Sequence, residues 1–436
     1  MMPRLQTQRL SIPALTRARM TQLAGRAEVM VVLDQGLVSA GNFALTALIA
    51  RLLPLADFGV YMLIMTMVWV FTDLQVATIT GPYTINRQKL SVRKQTVYFG
   101  STAVHQGALI LVAMLVTGFS IGFQDIGGTS QSAAILGGGT ASLAVAGLLA
   151  RDQIRRLLII HQKPAECLKL DALVLVLHGL GVVAGVVTGH FSLVWAFASA
   201  AVACILPCLL WLPRLGALHD RWRLTLRHWR LNWGVGRWMV LSGMMWSLAV
   251  YLYPWTLAAT HGTAATGLWA AALGLSSLCN VPLSGLQNHY AVRIAAADRQ
   301  EVGRAVTTTA LRLAALAAVF VFVFLIGGER LMGLLYGQSF AVAAPLTVLM
   351  TVNLMVGAVS FCVSRGLFAI GRGGTDCAVN VIPLLAFALG GAWITLWFGP
   401  MGAVVSFLVS NALALMVRIF VLSRELPGQS SRLGSP

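Results

Sequence analysis

Of the 31 Lys and Arg residues in this 436-residue chain, all but Arg51 and Arg330 fall in every second gap between its apolar runs. They collect in the tail from Arg4 to Arg26 and in segments 87–94, 151–169, 214–237, 293–312, 365–372 and 418–432. Loops on the cytoplasmic side of a membrane accumulate Lys and Arg, and outer loops do not. The pattern therefore predicts a multi-pass membrane protein with these segments and both termini inside. A hydrophobic content of 58% agrees with that class, since soluble domains average about 45–50% even with Gly counted as apolar. A net charge of +17 on a soluble chain would point to nucleic acid. Confined to alternate gaps it is an orientation signal instead, and nucleic-acid binding is set aside.

A helix needs about 20 apolar residues to cross a bilayer. On that measure the chain divides into twelve spans, near 29–50, 58–80, 98–122, 132–150, 170–188, 191–213, 238–260, 267–290, 306–328, 341–364, 376–398 and 401–422. The expected organisation is a cytoplasmic basic tail (1–28), an N-terminal lobe of spans 1 to 6 (29–213), a basic amphipathic linker (214–237), a C-terminal lobe of spans 7 to 12 (238–423) and a cytoplasmic tail (424–436). The linker, with Arg221, Arg223, Arg227, Arg230, Trp222 and Trp229, is expected to be a surface helix resting on anionic headgroups. Residues 1–28 lack the apolar stretch of a secretory signal, so span 1 is expected to serve as its own insertion signal. The outer gap 329–340 is the longest, too short to house an extracytoplasmic catalytic domain, and no enzyme is expected. Six cysteines without a CxxC pair give neither a disulfide framework nor a zinc site, and no metal or cofactor is expected.

The chain repeats itself. "ALIARLLPLADFGVYMLIM" (47–65) matches "WTLAATHGTAATGLWAAAL" (255–273), with Gly59 opposite Gly267 at an offset of 208. "GHFSLVWAFASAA" from Gly189 matches "GPMGAVVSFLVSNALA" from Gly399 at an offset of 210. Corresponding points lie six spans apart, an even number, so the halves share one orientation. The expected fold is all-α, two six-helix lobes related by a pseudo-twofold axis along the membrane normal, with substrate between them.

Polar side chains inside a membrane face protein or water, so their stripes mark internal surfaces. Span 1 carries Gln35, Ser39, Asn42 and Thr46 at helical spacing, and span 7 carries Ser242, Trp246, Tyr253 and Thr256. Span 8 carries Ser277, Asn280, Ser284 and Gln287, and span 2 carries Thr66, Asp73 and Thr80. Helix packing explains any one Ser or Thr, whereas Asn, Gln and Asp at equivalent places in both halves point to a wet central cavity. Asp34 and Asp73 are read as the acids well inside spans, where a carboxylate costs roughly 2.5–3.5 kcal/mol. For Asp34 a coupling or gating charge and a structural ion pair both stay open. Arg312, six residues inside span 9, is either a snorkelling cation or a cavity cation for an anionic substrate. His105 and His178 read as packing residues. Arg51 and Asp57 are expected to pair at the outer surface, bracing the first hairpin.

Several segments resemble the polysaccharide transporters that flip lipid-linked oligosaccharides, within the multidrug/oligosaccharidyl-lipid/polysaccharide (MOP) exporter superfamily. They are "ARLLPLADFGVYMLIM" (50–65), "RDQIRRLLIIHQKPAECLKLD" (151–171), "RLMGLLYGQSFAVAAPLTVLM" (330–350) and "FGPMGAVVSFLVSNALAL" (398–415). Leu157 to Ile160 depart from the aromatic-rich form of the second segment. The resemblance implies alternating-access flipping of a polyprenyl-diphosphate-linked glycan from the inner to the outer leaflet of the bacterial inner membrane. It also implies a polymerase and glycosyltransferases as partners, with membrane lipids around the chain, and a proton or sodium ion at Asp34 or Asp73 if transport is coupled. Arg312 would then hold the diphosphate, with Arg51 as an outer-gate contact. The alternatives are a multidrug cation antiporter of the same superfamily and a membrane-embedded glycan polymerase or ligase.

Overall fold

The computed structural model describes residues 14–123, 131–215 and 222–426, and among these the chain is helical without a strand. The N-terminal lobe is built from α1 (Ala14–Leu52), α2 (Leu55–Gln75), a π-helical segment (Val76–Thr80), α3 (Gly81–Arg87), α4 (Val92–Phe123), α5 (Gln131–Ile160), α6 (Pro164–Val187) and α7 (Leu193–Leu215). The C-terminal lobe holds α8 (Trp222–Ser277), α9 (Asn280–Ala295), α10 (Val302–Leu335), a 3-10 turn (Gln338–Ala343), α11 (Ala344–Ala369), α12 (Gly373–Val379), α13 (Ile382–Ala386), a π-helical segment (Phe387–Gly391) and α14 (Ala392–Glu425). Helix occupies all twelve expected spans. Seven helical stretches are long and apolar enough to cross a membrane, and α8 beyond Ser247 with α9, bent by 50°, makes an eighth. Where two expected spans run on in one stretch, as in Gly373–Glu425, they count once. One end of the bundle carries the basic segments and is its basic end; the opposite end is its far end.

Two boundaries differ from those read in the sequence. The fourth helix runs ten residues beyond 150, because nothing in "RDQIRRLLII" breaks a helix until the turn at Gln162 (φ 56°) and Pro164. Arg151, Asp152, Arg155 and Arg156 thereby sit on a packed helix rather than in a loop. The linker is likewise not a separate surface helix, since residues 222–237 run directly into span 7 as one helix, α8.

The internal repeat is visible in the backbone. The turn after span 4 has its left-handed residue at Gln162 and the turn after span 10 at Gly371, 209 residues on. The turns before spans 6 and 12 use Gly189 (φ 70°) and Gly399 (φ 57°) in the same way. Gly59 and Gly267, paired by the repeat, meet at the far end, where α2 crosses the part of α8 that follows its kink at Gly262 (φ 80°), backbone against backbone. A methyl on Gly59 would stand 1.8 Å from the Thr263 carbonyl oxygen, and one on Gly267 would stand 2.7 Å from that of Leu55. Close helix approach in membranes depends on such small residues, because dispersion and weak polar contacts replace the hydrophobic drive.

Candidate transport site between the lobes

The far-end crossing is sealed by aromatic residues from both lobes. Phe58, from the "ADFGVY" segment, packs edge-on against Phe340 (ring centroids 5.5 Å apart) and against Tyr336 at 6.5 Å. Tyr336 and Phe340 flank Gly337 in "LLYGQSF", whose φ of 109° makes the turn between them. All three rings are buried. The Arg51 guanidinium donates to the Leu334 carbonyl at 2.9 Å, tying α1 to α10 across the lobes. Arg51 does not pair with Asp57 as expected. Asp57 stands in the first turn of α2, where the helix dipole stabilises an acid.

Below this seal a cavity of about 610 Å³ separates the lobes. Asp73, Val76 and Ala77 of the N-terminal lobe face Met239, Ser247, Tyr251, Asn353, Leu354, Phe407 and Asn411 of the C-terminal lobe. Asp73 accepts a short hydrogen bond from the Ser247 hydroxyl. Trp69 stacks on Tyr251 at 5.9 Å, and Asn411 donates to Asn353 at 2.9 Å. Asp73 is the one charged residue in the described lining, and no base accompanies it. A second cavity of about 200 Å³ within the C-terminal lobe shares Gly357 and Asn411 as lining and is otherwise lined by Ser360, Phe361, Ser364, Asp376, Asn380, Pro383 and Arg418. Arg418 donates to Asp376 (Nε, 2.7 Å), Ser360 (Nη1, 2.8 Å) and Asn380 (Nη2, 2.5 Å), and Ser364 donates to Asp376 at 2.8 Å.

Of the residues expected to line a central cavity, several stand elsewhere. Asn42 and Thr46 line a 260 Å³ cavity within the N-terminal lobe, between α1, α2, α5, α6 and α7. Gln35 and Ser39 are exposed on α1, as are Asn280 and Ser284 on α9, and Gln287 is half-exposed. None of these seven belongs to the described lining of the cavity between the lobes. Tyr253 is fully buried, bonded to Ser406 at 2.9 Å and packed between Phe387 and Phe407, so it belongs to the core and not to the cavity. The side chains of Trp246 and Ser242 lie outside the described residues. Arg312 is exposed beside Tyr290, 3.2 Å from its hydroxyl, and faces neither cavity.

Asp34 lies at the centre of an ion network in the N-terminal lobe. Arg155 bridges Asp34 (2.8 Å) and Asp171 (2.7 Å), and Arg151 holds the other oxygen of Asp171 at 2.5 Å. Cys167 lies 3.7 Å from Asp34. Two acids face two arginines, which balances the buried charge. The sequence reading missed Asp171, Asp376 and Arg418 because each sits near the end of a span, where hydropathy cannot separate a buried charge from a loop residue. The helical spacing of Arg151 with Arg155, and of Cys167 with Asp171, was the available signal. In the turn that follows α5, His161 pairs with the Tyr83 hydroxyl at 3.0 Å. Burial first, then the positive charges of Arg87 and Lys163, push it down to about 4, so this ring is neutral.

The arrangement of two lobes closed at one end over a cavity of mixed, mainly apolar lining matches known transporters. A multidrug resistance MATE family transporter of the MOP superfamily, in its inward-facing conformation, superposes with a TM-score of 0.69 at 14% identity, over 92% of this chain and 96% of that one. The lipid II flippase MurJ in an inward closed conformation gives 0.67 at 12% identity, over 91% and 87%. The chain has the fold of the MOP superfamily. A MOP superfamily transporter from Pyrococcus furiosus, with a binding pocket of reversed polarity, gives 0.60 at 15% identity over 94% and 96%. An outward-facing MATE transporter matches this MOP fold at 0.55, below the inward-facing form, in keeping with the closed far end. No protein-family model and no curated relative matches the chain.

Proposed function

We propose that this chain carries a polyprenyl-diphosphate-linked oligosaccharide from the inner to the outer leaflet of the bacterial inner membrane, with both termini cytoplasmic. The observation that carries this reading is the interlobe cavity, sealed at the far end by Phe58, Tyr336 and Phe340, in which Asp73, Ser247, Tyr251, Asn353 and Asn411 stand among apolar side chains. A glycan is rich in hydroxyl groups and cannot cross hydrocarbon unaided, because each unpaired polar group costs several kcal/mol, roughly 4–8 on a cyclohexane scale. Asn353, Asn411, Ser247 and Tyr251 offer it partners while the isoprenoid tail stays in lipid. Rocking of the lobes against each other would part the Gly59–Gly267 crossing, break the far-end seal and expose the head to the other side. The sequence resemblance to oligosaccharide flippases supports the same substrate class.

The test is a purified-protein flip assay. Proteoliposomes loaded with a fluorescent polyprenyl-diphosphate oligosaccharide are expected to show protein-dependent movement of the sugar between leaflets, read with an impermeant lectin or quencher. Sugar movement no faster than in protein-free vesicles would sink the reading. One observation favours a second reading, export of organic cations: Asp73 is the one charge in the described lining of the central cavity. On that reading the vesicles accumulate a cationic dye, Asp73→Asn abolishes it, and the lipid-linked sugar does not move.

A further inference from the structure

Four acids in the interior of the bundle are each matched by an arginine. Asp34 and Asp171 share Arg155 and Arg151, Asp152 holds Arg156 at 2.5 Å, and Asp376 holds Arg418 at 2.7 Å. Asp73 is the exception. Among the described residues its one hydrogen-bond partner is the neutral Ser247 hydroxyl, and no base stands in the described lining of the cavity that it faces. A carboxylate held in a membrane interior is costly without a cation beside it. The architecture does not demand this one. At the 208-residue offset Asp73 falls opposite Val281 and Ser247 opposite Ser39, so the equivalent pair of positions in the repeat carries no charge. The carboxylate is an addition to one wall of the cavity.

The groups around Asp73 suit a ligand that is both cationic and rich in hydroxyls. An ammonium has three N–H donors and no acceptor, and its charge-assisted bond to a carboxylate is about twice as strong as a neutral one. Tyr251, which lines the cavity one helical turn beyond Ser247, stacks on Trp69 of the other lobe at 5.9 Å, and aromatic rings attract cations. Opposite them, Asn411 donates to Asn353, which leaves the Asn411 carbonyl oxygen and the remaining amide N–H groups of both residues for sugar hydroxyls. A neutral sugar in this cavity leaves Asp73 unmatched, and an acidic sugar is repelled by it. A sugar with a free amino group meets both the charge and the amides.

We propose that the substrate is a lipid-linked amino sugar whose ammonium group pairs with Asp73 in the interlobe cavity, an inference that rests on the flippase reading. The cavity volume of about 610 Å³ lies within the range of small-ligand sites. N-acetylation of the amine removes the charge and leaves an amide in its place, so it weakens binding without changing the rest of the sugar.

The test compares two ligands on one protein, so it does not depend on any variant folding. Full-length wild type in nanodiscs is titrated with polyprenyl diphosphate glucosamine and, separately, with its N-acetylated form on the same lipid. The free amine is expected to bind at least about tenfold more tightly, the size of one hydrogen bond to a charged group. Asp73→Asn, which keeps the side-chain shape, should cut that preference to less than about threefold, and Asp73→Glu should retain it. Equal binding of the two sugars by the wild type, or a preference that survives in folded Asp73→Asn protein, overturns this inference alone and leaves the flippase reading standing. Binding of neither sugar, with Asp73-dependent binding of the cationic dye ethidium, overturns both and favours export of organic cations.

Discussion

Asp171 shows how a charge is held inside the bundle. Its side chain is fully buried, and its two oxygens take Arg151 and Arg155. Removing one partner of a buried ion pair leaves an uncompensated charge and costs about 3–5 kcal/mol, while replacing the whole pair by apolar groups is often neutral. Asp171→Asn leaves two arginines with Asp34 alone, and the yield of folded, monodisperse protein is expected to fall sharply. Adding Arg151→Met should restore most of it, as read by size-exclusion chromatography and thermal unfolding in detergent. A double variant no better than Asp171→Asn would mean that Arg151 does not depend on this carboxylate. Asp34 was legible as costly from its place in span 1, and the sequence left coupling and a structural pair both open. Arg155 could not be assigned to it, because it lies 121 residues away on a stretch that read as a loop.

At the scale of helices, glycines divide into those that meet a neighbour and those that do not. Gly59 and Gly267 sit in the far-end crossing, where an added methyl collides with backbone. Gly59→Ala must push α2 away from α8, and its thermal unfolding temperature is expected to fall even though alanine favours helix. Gly357→Ala, facing open space on α11, gains the ordinary advantage of about 0.8–1 kcal/mol and should melt at or above the wild-type temperature. Equal shifts in the two variants would show that the crossing is not close-packed in solution. The repeat in the sequence paired Gly59 with Gly267, and the helices bring that pair into contact. The ends of helices were less legible: α5 runs on through a basic segment that charge alone assigned to a loop, and α8 begins in one read as a separate surface helix.

For the whole molecule, the decisive feature is which end of the bundle is shut. In a background without the six native cysteines, Phe58→Cys with Phe340→Cys places one thiol on each lobe inside the seal, where the native rings stand 5.5 Å apart. A short, cleavable thiol crosslinker is expected to stop substrate movement, and cleavage to restore it. Movement undiminished by complete crosslinking would mean the far end never opens during transport. The sequence by itself determined the membrane class, the twelve helices and their two-fold repeat, because hydropathy, alternation of basic segments and internal matches are properties of the chain read in order. It also marked Asp73, which the fold places in the cavity wall. The tertiary structure alone decided which polar stripes face that cavity. A stripe gives the face of a helix but not its rotation or its neighbour, so Asn42 and Thr46 turned into the N-terminal lobe and Tyr253 into the core. Arg418, Asp376 and Asn380 became one pocket because three spans converge there, and burial of a charge at a helix end depends on what packs against it.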